Sequence, residues 1–239
     1  MKNVKKVKNL KWMKKGTILL SLLIGIIIIV MIYFFQKNTN KNWNMGNTLN
    51  NKTIQEIEEY ILNISSYEAE IEVTVTSNKN ENQYKMKQSY SSPNIEKQIV
   101  QEPSNLQGLE TIYDGKDLTI RNTKLNLTTI YQDYPYLSNN SLWLHSFIEE
   151  YREAKNNGKT RLLEEENKII MELELQTSNQ SVQYKKLVIN KEENKIEQLL
   201  VQDKNQKNLV YILYNEIKIN SLKKDEILAF QLDVPTMQY

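Results

Sequence analysis

Tyr67 to Thr76 reads YEAEIEVTVT, and its alternation decides the fold. Ala69, Ile71, Val73 and Val75 fall on one side, and Glu68, Glu70, Glu72 and Thr74 on the other. A period of two with one charged side is the signature of a half-buried antiparallel strand. Downstream, residues 83–90 and 94–101 read as further strands around Ser91-Ser92-Pro93. Residues 109–113 and 117–121 flank Asp114-Gly115, a pair that tolerates positive φ and predicts a two-residue hairpin. Strands are also expected at 126–131, 169–175, 182–189, 196–202, 209–219 and 229–234, with Lys191 to Asn194 as a turn.

Two segments carry the helical period instead. Thr53-Ile54-Gln55-Glu56 fits a capping box, and Ile54, Ile57, Ile61 and Ile64 then form one apolar stripe. Around 138–156, Leu144, Ile148 and Tyr151 share a face near Trp143 and Phe147, and Asn157-Gly158 is a suitable stop. About ten short strands and two or more amphipathic helices predict an α+β domain: a curved antiparallel sheet, a half-open β-barrel, covered by helices.

Upstream, Gly16 to Phe35 is twenty residues without a charge, about 30 Å as a helix and long enough to span a bilayer. A cleaved signal peptide has a shorter apolar region, about 7–15 residues, and ends in small residues. This run ends in Met31-Ile32-Tyr33-Phe34-Phe35, so the expectation is an uncleaved signal-anchor. Seven lysines and no acidic residue precede it, which places the N-terminus in the cytoplasm. The expected organisation is a basic tail at 1–15, a transmembrane helix at 16–35, a linker at 36–52 and an extracytoplasmic domain at 53–239. After the anchor, 24 basic residues face 29 acidic ones. That balance argues against nucleic acid as a partner.

Catalytic constellations are scarce. The chain has no cysteine, which removes disulfides, thiolate metal sites and cysteine nucleophiles. His145 is the single histidine; Ser141, Ser146 and Asp133 are its candidate triad partners, but no nucleophile-elbow motif accompanies it and it falls beside an apolar helix face. Glu164-Glu165-Glu166 lacks a calcium-loop spacing and reads as a solvated charge run on a loop. Glu68, Glu70, Glu72, Glu172 and Glu174 read as outward faces of strands. No phosphate-cradling loop is present, so no cofactor and no metal are expected, and the chain is expected not to be an enzyme.

Two features are candidates for binding. One is Leu209 to Tyr214, apolar on both faces, where Tyr211 and Leu213 either pack under another layer or meet a partner or a second copy of the chain. The other is the aromatic cluster Tyr131, Tyr134, Pro135, Tyr136 and Trp143, of a kind found in interfaces and in cores alike.

The order of these pieces resembles the LolA/RseB-like lipoprotein-carrier fold superfamily. The resemblance rests on the helix before Tyr67-Glu-Ala-Glu-Ile, on Thr111-Ile-Tyr-Asp-Gly-Lys, on the mid-chain helix with Leu144 and Phe147, and on Tyr211, Glu216-Ile-Lys-Ile-Asn220 and Phe230 before Pro235. It covers about Thr53 to Val234. Within it, the Asn- and Lys-rich, anchored form is similar to the clostridial spore germination protein GerS family. That resemblance implies a non-enzymatic partner of a spore-cortex peptidoglycan amidase, needed for cortex modification and germination, in the cell or forespore membrane. The family's acylated cysteine is absent here, so Gly16–Phe35 would serve as the anchor of a related branch. Three functions rank in order: a protein-binding scaffold, with a homodimer also open; a carrier or sensor of lipid acyl chains, which needs a dry cavity of several hundred Å³; and a cell-wall hydrolase.

Overall fold

The structure, a computed structural model, describes residues 52–137, 140–175, 181–222 and 224–228. The expected membrane helix and the closing strand at 229–234 lie outside them. No helix among the described residues is long and apolar enough to cross a membrane.

The helices are α1 (Ile54–Leu62), α2 (Leu144–Asn156) and the short α3 (Lys224–Leu228). The strands are β1 (Ser66–Thr76), β2 (Glu81–Ser91), β3 (Ile95–Glu102), β4 (Leu109–Tyr113), β5 (Leu118–Asn122), β6 (Leu127–Tyr131), β7 (Thr160–Glu165), β8 (Lys168–Glu174), β9 (Tyr184–Asn190), β10 (Lys195–Gln202) and β11 (Asn208–Ile219). They form one large curved antiparallel sheet in the order β6-β5-β4-β3-β2-β1-β11-β10-β9-β8-β7. Each half is therefore a meander, and the two halves meet where β1 pairs with β11. The connection from β6 to β7 must pass from one edge of the sheet to the other, and α2 lies within it.

The expected β1 is present: Ala69, Ile71 and Val73 are about 1% exposed while the glutamates between them face outward. Its pairing with β11 shifts between Glu70 and Ile71, where Asn215 is the extra residue. That bulge lets Ile212 and Tyr214 face inward on one side of it and Ile217 and Ile219 on the other, although their numbers differ in parity. A second bulge at Glu197 does the same for Ile196 against Leu199 and Val201. Residues of α1 and α2, among them Ile57, Ile61, Phe147, Ile148 and Tyr151, pack on this inner face at 0–2% exposure. A void large enough for water would leave accessible area on its walls, so these five side chains are closely packed.

Local expectations fare unevenly. The capping box holds: the Thr53 hydroxyl accepts from Glu56 N, and Thr53 N donates to the Glu56 carboxylate at 2.8 Å. The β4–β5 turn is longer than a two-residue hairpin, running over Asp114 to Asp117. Gly115 takes φ +97°, and Asp114 Oδ1 accepts from the backbone of Lys116 and Asp117. α2 begins at Leu144, six residues later than expected. No cap bond comes from the Trp143 side chain; the Tyr67 hydroxyl accepts from Leu144 N at 3.2 Å instead.

β7 was not expected. It contains Glu164 and Glu165, which therefore stand on an edge strand and not on a loop, with Glu164 paired to Lys191. Glu172 also departs from expectation, since it is 4% exposed, bonded to Arg161 on β7 and 3.0 Å from Lys186 on β9. Burial alone would raise its carboxyl pKa, but hydrogen bonds from Lys186 and Arg161 outweigh that and hold it below 4.5. A lowered carboxyl pKa contributes stability above the ordinary carboxylate range, lost as pH falls through the folded value. Glu172→Gln is thus expected to cost roughly 1–2 kcal/mol at neutral pH, a range reduced because Arg161 is largely exposed. The gap to the parent, measured by urea unfolding, closes as pH falls below the ordinary carboxylate range and through the lowered folded pKa. A gap that stays constant with pH would refute the assignment.

Candidate aromatic binding site

The first turn of α2 delivers Trp143 and His145 to the inner face of β1–β4. His145 is 3% exposed and stacks on Tyr90, with centroids 3.9 Å apart and planes 6° from parallel. Its Nε2 lies 2.8 Å from the Tyr136 hydroxyl and 2.9 Å from Glu96 Oε1, and its Nδ1 lies 3.5 Å from the Tyr67 hydroxyl. One ring proton on Nε2 satisfies this network by donating to the Tyr136 oxygen, with the Tyr136 hydroxyl donating to the Glu96 carboxylate and Tyr67 donating to Nδ1.

Burial raises the pKa of Tyr136, and the charges of Glu96 and Glu149 add to it. Burial likewise pushes Tyr67 well up, aided by Tyr214 and Glu96. Both phenols therefore stay protonated as hydrogen-bond donors, and neither is available as a phenolate nucleophile. Both ring nitrogens of His145 face the buried Tyr67, the half-buried Tyr136 and Glu96. Asp133, one expected triad partner, is exposed and pairs with Lys116 at 3.3 Å. The arrangement is a positioning cluster that fixes Tyr136 and Trp143 around a cavity.

That cavity, about 150 Å³, is floored by Glu96 and Gln98 of β3, Thr111 and Tyr113 of β4, and Leu118 of β5. Its wall is the loop before α2: Tyr134, Pro135, Tyr136, Leu137, Asn140 and Trp143. Tyr113 and Tyr136 rings stack 5.5 Å apart, and the Tyr113 hydroxyl donates to Tyr134 O at 3.3 Å.

Tyr134, Tyr136 and Trp143, expected from the sequence, thus come together around this cavity. Tyr131 stands at its margin, 47% exposed on β6, with its ring 6.2 Å from that of Tyr134. Tyr211 and Leu213 do not join them. They are half-buried on the outer face of β11, opposite the inward Ile212 and Tyr214. Sequence reasoning missed Glu96, Gln98, Thr111 and Tyr113, whose strands lie 20–40 positions upstream of the loop.

It also missed the edge beside the site. Six large hydrophobics among the described residues are exposed, and five of them, Leu125, Leu127, Ile130, Tyr131 and Leu137, fall within thirteen positions on and around β6. A signal was present: Leu127 and Ile130 are three apart in a strand without charge, so one lies on each face.

The family model described as "Sporulation protein YdcC-like" matches residues 14–228. No curated protein matches the sequence. Among solved structures, a chain of the CwlD amidase–GerS lipoprotein complex from Clostridioides difficile is similar at 20% identity, over 68% of this chain and 91% of that one, with a TM-score of 0.43. A LolA superfamily protein from Nitrosomonas europaea is similar at 12% identity, over 74% and 97%, with a TM-score of 0.36. The MucA/MucB complex from Pseudomonas aeruginosa contains a chain similar at 10% identity, over 73% and 59%, with a TM-score of 0.40.

Proposed function

The chain belongs to the YdcC-like sporulation protein family, and from that premise we propose that it is a membrane-anchored, non-catalytic binding protein whose partner is a cell-wall amidase acting on the spore cortex. Gly16–Phe35 anchors it in the cell or forespore membrane, and the domain from Thr53 onward works outside as a half-open barrel. The observation that carries the reading is the concentration of exposed apolar side chains on β6 beside the aromatic cavity. Exposed apolar side chains concentrated on one edge mark an interaction surface, and an edge strand that no other described strand pairs is a ready template for a partner's chain.

The lipid-carrier alternative needs room between the helices and the sheet. Ile57 and Ile61 of α1 and Phe147, Ile148 and Tyr151 of α2 are 0–2% exposed, and the aromatic cavity is about half the size of the smallest ordinary ligand pocket.

The test is reconstitution. The full-length protein, purified from sporulating cells, is expected to bring down a cell-wall amidase and to raise that enzyme's hydrolysis of cortex peptidoglycan. Capture of acyl lipid with no amidase would replace this reading with the carrier one.

A further inference from the structure

We infer that the aromatic cavity binds the guanidinium of one arginine side chain presented by a protein partner. The inference rests on the protein-binding reading only for the source of that side chain.

Size sets the first limit. At about 150 Å³ the space admits one planar head group, since cavities of this volume accept a ligand the size of benzene. Charge sets the second. Of the eleven residues that line the cavity, Glu96 alone is ionisable to a charge near neutral pH, and its side chain is 14% exposed. Carboxylate, amide and hydroxyl oxygens of Glu96, Gln98, Asn140 and Thr111 supply acceptors, and an anion would meet the Glu96 carboxylate, whose neighbours His145 and Tyr136 carry no fixed positive charge.

The walls set the third limit. Tyr113, Tyr134, Tyr136 and Trp143 offer aromatic rings, which attract a cation and stack well on a planar one. No cation of the chain competes from these strands. Lys97 and Arg121 project to the opposite face, where Glu110 holds both, with Lys97 Nζ at 2.8 Å. Lys116 is 69% exposed and engaged with Asp133. Arginine fits this combination better than lysine because its fork can bond a carboxylate while its plane lies against a ring.

The experiment uses the full-length protein in detergent with Trp12 and Trp43 replaced by phenylalanine, which leaves Trp143 as the only tryptophan. Its emission is followed during titration with N-acetyl-arginine methylamide and with the neutral isostere N-acetyl-citrulline methylamide. The expected result is saturable binding of the arginine compound, at least about tenfold tighter than the citrulline compound. Glu96→Gln abolishes that preference. Tyr134→Ala, at the rim, weakens arginine binding at least about threefold without moving the thermal midpoint. If Glu96→Gln does not fold, the arginine–citrulline ratio and Tyr134→Ala decide. Equal binding of the two compounds, no saturable signal, or tighter binding of octanoate overturns the inference. Arginine binding without amidase capture would keep the cavity assignment and remove the amidase reading; capture without arginine binding would do the reverse.

Discussion

Replacing Glu150 with leucine is expected to lower the unfolding free energy by about 3–5 kcal/mol, the cost of stranding a buried charge. The charge is Lys185 on β9, only 1% exposed, with its Nζ 2.5 Å from Glu150 Oε2 on α2. Burial raises the Glu150 carboxyl pKa even though Lys185 pulls it down. Desolvation thus outweighs attraction at Glu150, as it commonly does for buried ion pairs, which add little net stability over well-packed apolar residues. The double replacement Glu150→Leu with Lys185→Met is therefore expected to be neutral or stabilising by about 1–4 kcal/mol. For a domain of this size the single change lowers the melting temperature by roughly 6–20 °C, and the double change recovers it. Calorimetry of the four members of this cycle checks both statements. Additive losses from the two single changes would mean that the ions contribute independently, and the account would fail.

The consequence reaches the binding site, because α2 begins at the cavity and ends near β7. Glu58 on α1 fastens the same helix from the other side, accepting from the Tyr151 hydroxyl at 2.8 Å and from Lys155 Nζ at 2.6 Å. These polar ties set where α2 lies on an apolar layer that would tolerate sliding, and the cavity depends on that placement for Trp143 and His145.

β1 was legible because its charges alternate strictly with Ala, Ile and Val. β7 was not, since TRLLEE places Leu162 and Leu163 side by side and shows no period. Its strand state comes from pairing with β8, a tertiary effect that overrides local pattern. Glu172 occupies an outward position in the alternation, and only the registers that set Arg161 and Lys186 opposite it explain its burial. The cavity divides in the same way. Tyr134, Tyr136 and Trp143 stand close in sequence and could be singled out together. Glu96, Thr111 and Tyr113 belong to different strands and share a face only once β3 and β4 are in register. The anchor and the strand expected at 229–234 lie on residues the structure does not describe.

The two ends of the sheet are chemically unequal, and that inequality leads to the second large effect. β7 carries Arg161, Glu164 and Glu165, the charged protection that keeps edges from pairing with other chains. β6 carries no charge from Leu127 to Tyr131, and all five residues are exposed. An edge without protection is a liability unless a partner covers it, so Leu127→Lys combined with Ile130→Lys places a charge on each face where the amidase is proposed to dock. Amidase binding is expected to fall by at least about a hundredfold, within the range for losing interface anchors. Both side chains already face solvent, so the melting temperature is expected to move by no more than a few degrees. Leu163→Lys, on the opposite edge and 38% exposed, serves as the matched control and is expected to leave binding unchanged. Titration calorimetry of the three proteins against the purified amidase separates the edges. Equal losses at β6 and β7 would point to a general effect of added lysine, while a loss at β7 alone would move the docking surface to the other end of the sheet.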